Sequence, residues 1–260
     1  MEELPSARRD RLDALVAADG FVRVAEAAAR LGVSEVTVRS DLGWLADAGR
    51  VRRVHGGAVS LRGEQREASV EAASRRDAEL KRAIGRRAAA EVANGSSILL
   101  DVGSTTHAVA QALVDRVDLT ELVVVTNGLG IALALEPAIP RFTVVVTGGT
   151  LRPLQHSLVD PVASATLADL HVDLAILGCN GIDRSGDVTN VNLPEAEVKR
   201  TMLRGASAAM LVADGSKFGQ RHLGRIGTIG DFATIVTSER GAAYLAEHHP
   251  TSVPRVLTVD

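Results

Sequence analysis

Four polar or glycine-rich segments hold the residues best suited to binding chemistry. Asp101-Val102-Gly103-Ser104-Thr105-Thr106 places a carboxylate, a glycine and three hydroxyls in succession. An apolar run precedes it and a helical pattern follows. Gly103 therefore permits a tight turn, and Ser104, Thr105 and Thr106 open a helix. Free backbone N–H groups and the helix dipole at such a terminus favour an anion such as phosphate. The same residues equally fit a plain helix cap.

Thr126-Asn127-Gly128 and Gly148-Gly149-Thr150 close two further apolar runs, making Asn127 and Gly149 candidates for ligand approach. A sharp turn explains Gly148-Gly149 equally well. Gly128-Leu129-Gly130 is not a dinucleotide fingerprint, because position 133 is leucine. In Gly178-Cys179-Asn180-Gly181-Ile182-Asp183, Asn180 and Asp183 can accept hydrogen bonds from sugar hydroxyls. Cys179 has no base visibly paired with it and reads as a packed small residue. Glu195 and Lys199 stand four residues apart, a spacing that also suits a helix-surface salt bridge. Lys217 follows another strand end, where an ammonium can meet a phosphate or simply water.

A second chemistry belongs to the first 61 residues. The spacing predicts helices over about 6–18, ended by Gly20, over 24–31 and over 34–48, with Ser34 as an N-cap. Gly32-Val33 joins the last two as a helix-turn-helix. Val38, Leu42 and Leu45 face inward at i, i+4 and i+7, leaving Val36, Ser40 and Gly43 outward, flanked by Thr37, Arg39 and Trp44. So small and polar a face suits a major groove about 12 Å wide. A generic three-helix bundle fits the helices alone. The following RVRRVHGGAVSL reads as a hairpin turning at His55-Gly56-Gly57, with Arg50, Arg52 and Arg53 on its first strand. A basic wing beside a recognition helix suits phosphate contact. The candidate DNA-facing set is Ser34, Thr37, Arg39, Ser40, Arg50, Arg52, Arg53 and His55.

These sites need scaffolds. Residues 62–73 are polar and read as a linker, and a long amphipathic helix is expected over 74–92. Beyond it, strands are predicted at 97–100, 122–126, 142–147, 174–177, 209–213, 234–237 and 255–259, mostly separated by helices. Several are apolar throughout, as in strands covered on both faces. The expected organisation is a winged helix-turn-helix over 1–61, a linker over 62–73, and a doubly wound α/β domain with a mostly parallel sheet over 74–260.

Composition narrows the function. Residues 1–62 carry +1 and the remainder −4, so no polybasic tail exists and DNA contact must come from placed arginines. No run of 18 apolar residues and no signal-peptide pattern is present, and one cysteine forms no internal disulfide. The expected setting is cytoplasmic, away from membranes. The residues imply neither a cofactor nor a metal.

Together these segments resemble the DeoR family of bacterial transcriptional regulators. VSEVTVRSDLGWLADAGRVRRVHGGAV at 33–59 and EAEVKR at 195–200 carry the resemblance most specifically. DVGSTT, VTNG, TGGTLR, GCNGID and ADGSKFG follow in the expected order. The resemblance implies a sensor domain similar to ribose-5-phosphate isomerase, a phosphorylated-sugar effector and a double-stranded DNA operator. It assigns DNA contacts to Ser34, Thr37 and Arg39. It assigns the effector pocket to Asp101, Gly103, Ser104, Thr105, Asn180, Asp183, Glu195, Lys199 and Lys217; Thr106, Asn127 and Gly149 join them from the strand-end motifs. Three positions depart from the family pattern: Ser40 for a second arginine, Val102 for glycine and Asn180 for aspartate. The expected protein is a homo-oligomeric repressor of a carbohydrate-related operon, a dimer or tetramer, and not an enzyme. The alternative is a sugar-phosphate isomerase-like enzyme with a DNA-binding appendage. Glu195 and Asp183 could serve it as base and acid, but Asn180 weakens that set.

Overall fold

The computed structural model describes residues 5–19, 21–54, 56–60, 69–249 and 254–260. Gly20, His55 and the expected linker residues 62–68 lie outside these. The chain divides into two units, residues 1–67 and 68–260.

In the first unit, α1 (Pro5–Asp19), α2 (Val24–Leu31) and α3 (Glu35–Asp47) pack with three short strands: β1 (Phe21–Arg23), β2 (Val51–Val54) and β3 (Gly57–Ser60). The sheet order is β1-β3-β2, all antiparallel. The hairpin was anticipated; β1, only three residues long, was not. Leu12, Val16, Val38, Leu42 and Leu45 form the centre of the core. Ser34 caps α3 by accepting from the Thr37 N–H at 3.1 Å.

A parallel seven-stranded sheet forms the second unit. It contains β4 (Ser97–Leu100), β5 (Leu122–Thr126), β6 (Phe142–Val146), β9 (Val172–Leu177), β12 (Ala206–Ala213), β14 (Thr234–Ser238) and β15 (Arg255–Val259). Their order is β15-β14-β12-β9-β4-β5-β6. Every pairing is parallel, and apolar clusters lie on both faces. From β4 the chain runs outward through β5 and β6. It then returns to β4's other side at β9 and runs outward again. The crevice between the carboxyl ends of β4 and β9 is therefore a topological switch point, where open α/β sheets bind ligands.

Two smaller sheets flank this one. β7 (Thr150–Arg152) pairs with β8 (Ser157–Val159), and β10 (Gly181–Ile182), β11 (Asp187–Asn190) and β13 (Gly224–Thr228) form a third antiparallel sheet. The single helix expected over 74–92 is instead two, α4 (Val70–Arg75) and α5 (Ala78–Ala89). Asp77 breaks them with φ 52°, a left-handed backbone that no helix continues through. α4 also begins inside the segment expected to be linker. The remaining helices are α6 (Ser104–Asp115), α7 (Leu129–Leu135), α8 (Val162–Ala168), α9 (Leu193–Arg204) and α10 (Glu239–His248).

Candidate functional site

The first unit presents α3 as a reading surface. Val36 is 72% exposed, Trp44 46%, and Arg39 and Ser40 are exposed beside them. Among the described residues, Arg39 pairs with Glu35 alone, at 2.7 Å, and both side chains are about half exposed. Such a pair is worth a few tenths of a kcal/mol and releases readily to a base edge. Thr37 is half-buried and tied to Ser34, hydroxyl to hydroxyl, at 2.8 Å. Arg53 is exposed on β2, whose backbone also includes Arg52.

Arg50 departs from the expected wing strand. It precedes β2, and its guanidinium meets Asp13 at 2.5 Å and Asp10 at 3.2 Å on α1. It is a brace within the unit. A second brace went unread in the sequence. Asp41, 2% exposed on α3, takes Arg8 at 2.6 Å and Arg9 at 2.9 Å from α1. Burial pushes its carboxyl up, but the hydrogen bonds and charges of the two arginines outweigh that and leave its pKa below the ordinary value. Arg9 also lies over the Trp44 ring, 4.8 Å from its centroid. A buried polar residue on a helix leaves no periodic trace, so only three-dimensional packing shows this tie.

The second unit gathers its chemistry at the switch point. Asp101 leaves β4 and is fully buried. Its Oδ2 accepts from the Gly178 N–H at 3.0 Å, just past β9, and is bonded to the Lys199 ammonium from α9. Lys199 also donates to the Gly178 carbonyl at 3.2 Å. Asp101 Oδ1 is buried with no hydrogen-bond partner among the described residues. Burial raises the Asp101 pKa, with the Lys199 charge opposing it. Burial also pushes the Cys179 thiol up to about 12, and Lys217 and Lys199 act against that rise. The thiol stays protonated, as expected of a packed cysteine.

Beside this pair, α6 begins without a side-chain cap. Its first N–H groups therefore have no partner within the helix. Gly103 holds φ 148°, where a Cβ would stand 3.2 Å from Thr106 Oγ1. Ser104 is half-buried, and Thr105 and Thr106 are buried. Thr106 is spent on the Gly103 carbonyl at 3.0 Å. Asn127 shapes this loop from the end of β5, accepting from the Val102 N–H at 3.1 Å.

Glu195 and Lys199 do not form the helix-surface pair that their spacing also suits. Glu195 accepts from Arg152 at 2.8 Å and from the Ser157 hydroxyl at 2.5 Å through Oε1, and from Asn190 at 3.3 Å through Oε2. Its four-residue offset from Lys199 instead sends two buried charges to different partners. Arg152, Ser157 and Asn190 escaped the sequence reading, although TGGTLR contained Arg152. Asn180 accepts from the Val191 N–H at 2.9 Å and so holds the end of β11. Asp183 accepts from the Ser185 and Asp187 N–H groups at 2.8 and 3.0 Å, which closes its own turn. Gly149 lies against β8: a Cβ there would stand 2.4 Å from the Val159 carbonyl oxygen, so close packing accounts for it.

A winged helix-turn-helix unit and a parallel α/β unit with charges buried at its switch point define a two-part, ligand-responsive DNA-binding regulator. Residues 8–64 match the DeoR-like helix-turn-helix domain, and residues 76–239 match the DeoR C terminal sensor domain. The chain belongs to the DeoR family of transcriptional regulators. It is 34% identical over 244 residues to the HTH-type transcriptional repressor CsqR of Escherichia coli K12, covering 92% of this chain and 89% of that protein. The E. coli K12 glycerol-3-phosphate regulon repressor is 31% identical over 257 residues, 96% and 94% of the two chains. The putative aga operon transcriptional repressor of E. coli O157:H7 is 32% identical over 223 residues, 85% and 81%. Among solved structures, a probable sor operon regulator from Shigella flexneri is similar at 15% identity and TM-score 0.44, covering 65% of this chain and 88% of that one. Ribose 5-phosphate isomerase A from Methanocaldococcus jannaschii is similar at 17% identity and TM-score 0.40, over 55% of each chain. Among the described residues, no helix is long and apolar enough to cross a membrane.

Proposed function

We propose that this regulator represses a carbohydrate-related operon and that a phosphorylated sugar or polyol, bound at the β4–β9 switch point, controls it. One observation carries the reading: the buried Asp101–Lys199 pair bridges the two central strands beside the uncapped start of α6. Phosphate suits the N–H groups of that helix start, and the buried Asp101 Oδ1 is an acceptor without a partner among the described residues. Relatives named as repressors of glycerol-3-phosphate and aga genes support the effector class.

On DNA, Arg39 reads a base edge, with Thr37, Ser34 and Ser40 beside it, while Arg53 and Arg52 meet phosphates. Two or more copies present paired recognition helices to half-sites. The effector acts by favouring one arrangement of the assembled copies, with couplings of about 1–3 kcal/mol. Catalysis is not part of this function. An isomerase needs a carboxylate free to take a proton, and Glu195 is occupied by Arg152, Ser157 and Asn190, while Asp183 closes a turn.

A thermal-shift screen of sugar and polyol monophosphates tests the sensor. A ligand at about 100 times its Kd adds about 2.7 kcal/mol to stability. A panel of triose, pentose and hexose monophosphates that leaves the melting temperature unmoved contradicts it.

A further inference from the structure

A cavity of about 250 Å³ is bordered by Val102 and Gly103 of the loop before α6 but by neither Asp101 nor Lys199, and the mechanism above does not use it. Val102 and Ile131 give it an apolar wall, and His107 reaches it from the first turn of α6. Its roof is α4, through Val70 and Glu71, with Gln155 at the side. That roof is fastened at both ends. At its start, the Val70 N–H donates to the Leu154 carbonyl at 3.0 Å, and Glu71 stands 3.4 Å from His156. At its far end, the buried Lys81 ammonium donates to the Ala73 and Arg76 carbonyls at 2.5 and 2.8 Å. A cation at a helix C-terminus is favourably placed against the dipole. α4 is also the first described helix of the sensor unit, so the chain from the DNA-binding unit enters through it.

We propose that this cavity receives the hydroxylated, unphosphorylated end of the effector and that α4 reports its occupancy to the DNA-binding unit. The inference rests on the effector reading above and extends it to specificity and regulation. The lining chemistry selects the class. Burial lowers the His107 pKa, so the ring is neutral at pH 7 and offers one donor and one acceptor. The Glu71 carboxylate accepts. Together they suit hydroxyl groups, and the Glu71 carboxylate opposes a second phosphate. The cavity therefore favours monophosphates of short polyols and sugars over bisphosphates. Its volume falls slightly below the usual range of small-molecule sites, about 300–1,000 Å³, and so suits a short polyol end.

A tethered occupant tests this without knowledge of the natural effector. His107→Cys places a thiol in the cavity wall. Gln111→Cys, exposed on the same helix and outside the lining, is the control. Native Cys179, with its thiol pushed up to about 12, competes poorly. Each variant is treated with a dihydroxypropyl methanethiosulfonate. The thiolate attacks the sulfenyl sulfur, a disulfide forms and methanesulfinate leaves. Two readouts follow: hydrogen exchange of backbone amides 70–76, and affinity for the DNA upstream of the gene.

The His107→Cys adduct is expected to slow exchange at 70–76 at least about fivefold and to change DNA affinity by about 5–150-fold, the usual coupling range. The control adduct should move either by less than about twofold. A sulfonatoethyl reagent should label His107→Cys more slowly than the hydroxylated one. A complete adduct with unchanged exchange overturns the inference, as does a thiol that labels only after unfolding. Slowed exchange with unaltered DNA affinity removes α4's reporting role. Faster labelling by the sulfonate overturns the ligand class. If His107→Cys fails to fold, Ile131→Cys carries the same test from the α7 wall. Failure of the effector reading itself shows separately, as wild-type protein that no monophosphate stabilises.

Discussion

On α3, Val36, Arg39 and Ser40 are exposed, and among the described residues Arg39 pairs with Glu35 alone, in a surface ion pair. In the sensor crevice, Asp101, Glu195 and Lys199 are each at most 3% exposed, and each is bonded to another strand, hairpin or helix. The reading surface can therefore change with little cost to folding. The sensing chemistry is part of the core, and altering it unsettles the β4–β9 junction that it joins. Binding and stability should separate in one unit and move together in the other.

The sharpest way to break that contrast is Lys199→Met. It leaves the Asp101 carboxylate buried without its cation, and breaking such pairs costs about 3–5 kcal/mol. Denaturant unfolding should show the loss, and adding Asp101→Asn should recover much of it. A Lys199→Met protein of unchanged stability would end the claim that the crevice is structural. Gly149→Ala should come next, because a Cβ would stand 2.4 Å from the Val159 carbonyl oxygen. Overpacking costs about 1–3 kcal/mol, and calorimetry would report it whether or not effector is present.

Asp41→Asn removes the brace between α1 and α3. The arginines stay partly exposed and can rehydrate, so about 1–3 kcal/mol is expected. The same carboxylate sets a pH dependence. Its folded pKa lies below its unfolded value. Its contribution is therefore complete above about pH 4 and is lost as pH falls through the depressed folded pKa. Unfolding curves of wild type and Asp41→Asn should converge at low pH; parallel curves would remove the brace. Arg39→Ala should have the smallest effect on folding, within about 0.5 kcal/mol. It should nevertheless weaken operator binding by about 1–3 kcal/mol if it reads a guanine.

The sequence carried most of the large architecture. All seven central strands were legible, because each is a short apolar run bounded by turn residues, and Val38, Leu42 and Leu45 marked the inner face of α3. Short non-local pairings were not legible. β1 has three residues and β11 four, and each pairs with a strand far along the chain, β1 with β3 and β11 with β13. The break at Asp77 was also invisible, because its left-handed backbone interrupts residues with ordinary helical spacing. Within the sensor, Asp101, Glu195 and Lys199 were singled out as candidates from their motifs and the family resemblance, but their partners were not. Arg152, Ser157 and Asn190 reach Glu195 from other elements, and no spacing rule connects them. Arg50 misled for a related reason: beside two other arginines it read as part of a phosphate-facing strand, while the acidic residues that hold it lie on α1.

A titration of the DNA upstream of the gene, followed by fluorescence anisotropy, tests the central claim most directly. From about 50 to about 200 mM salt, affinity should fall about 10³-fold or more if six or more phosphates are neutralised. At fixed salt, the sugar or polyol monophosphate that best stabilises the protein should change that affinity about 5–150-fold. Affinity that is indifferent to both salt and monophosphate would contradict a DNA-binding unit governed by the β4–β9 crevice.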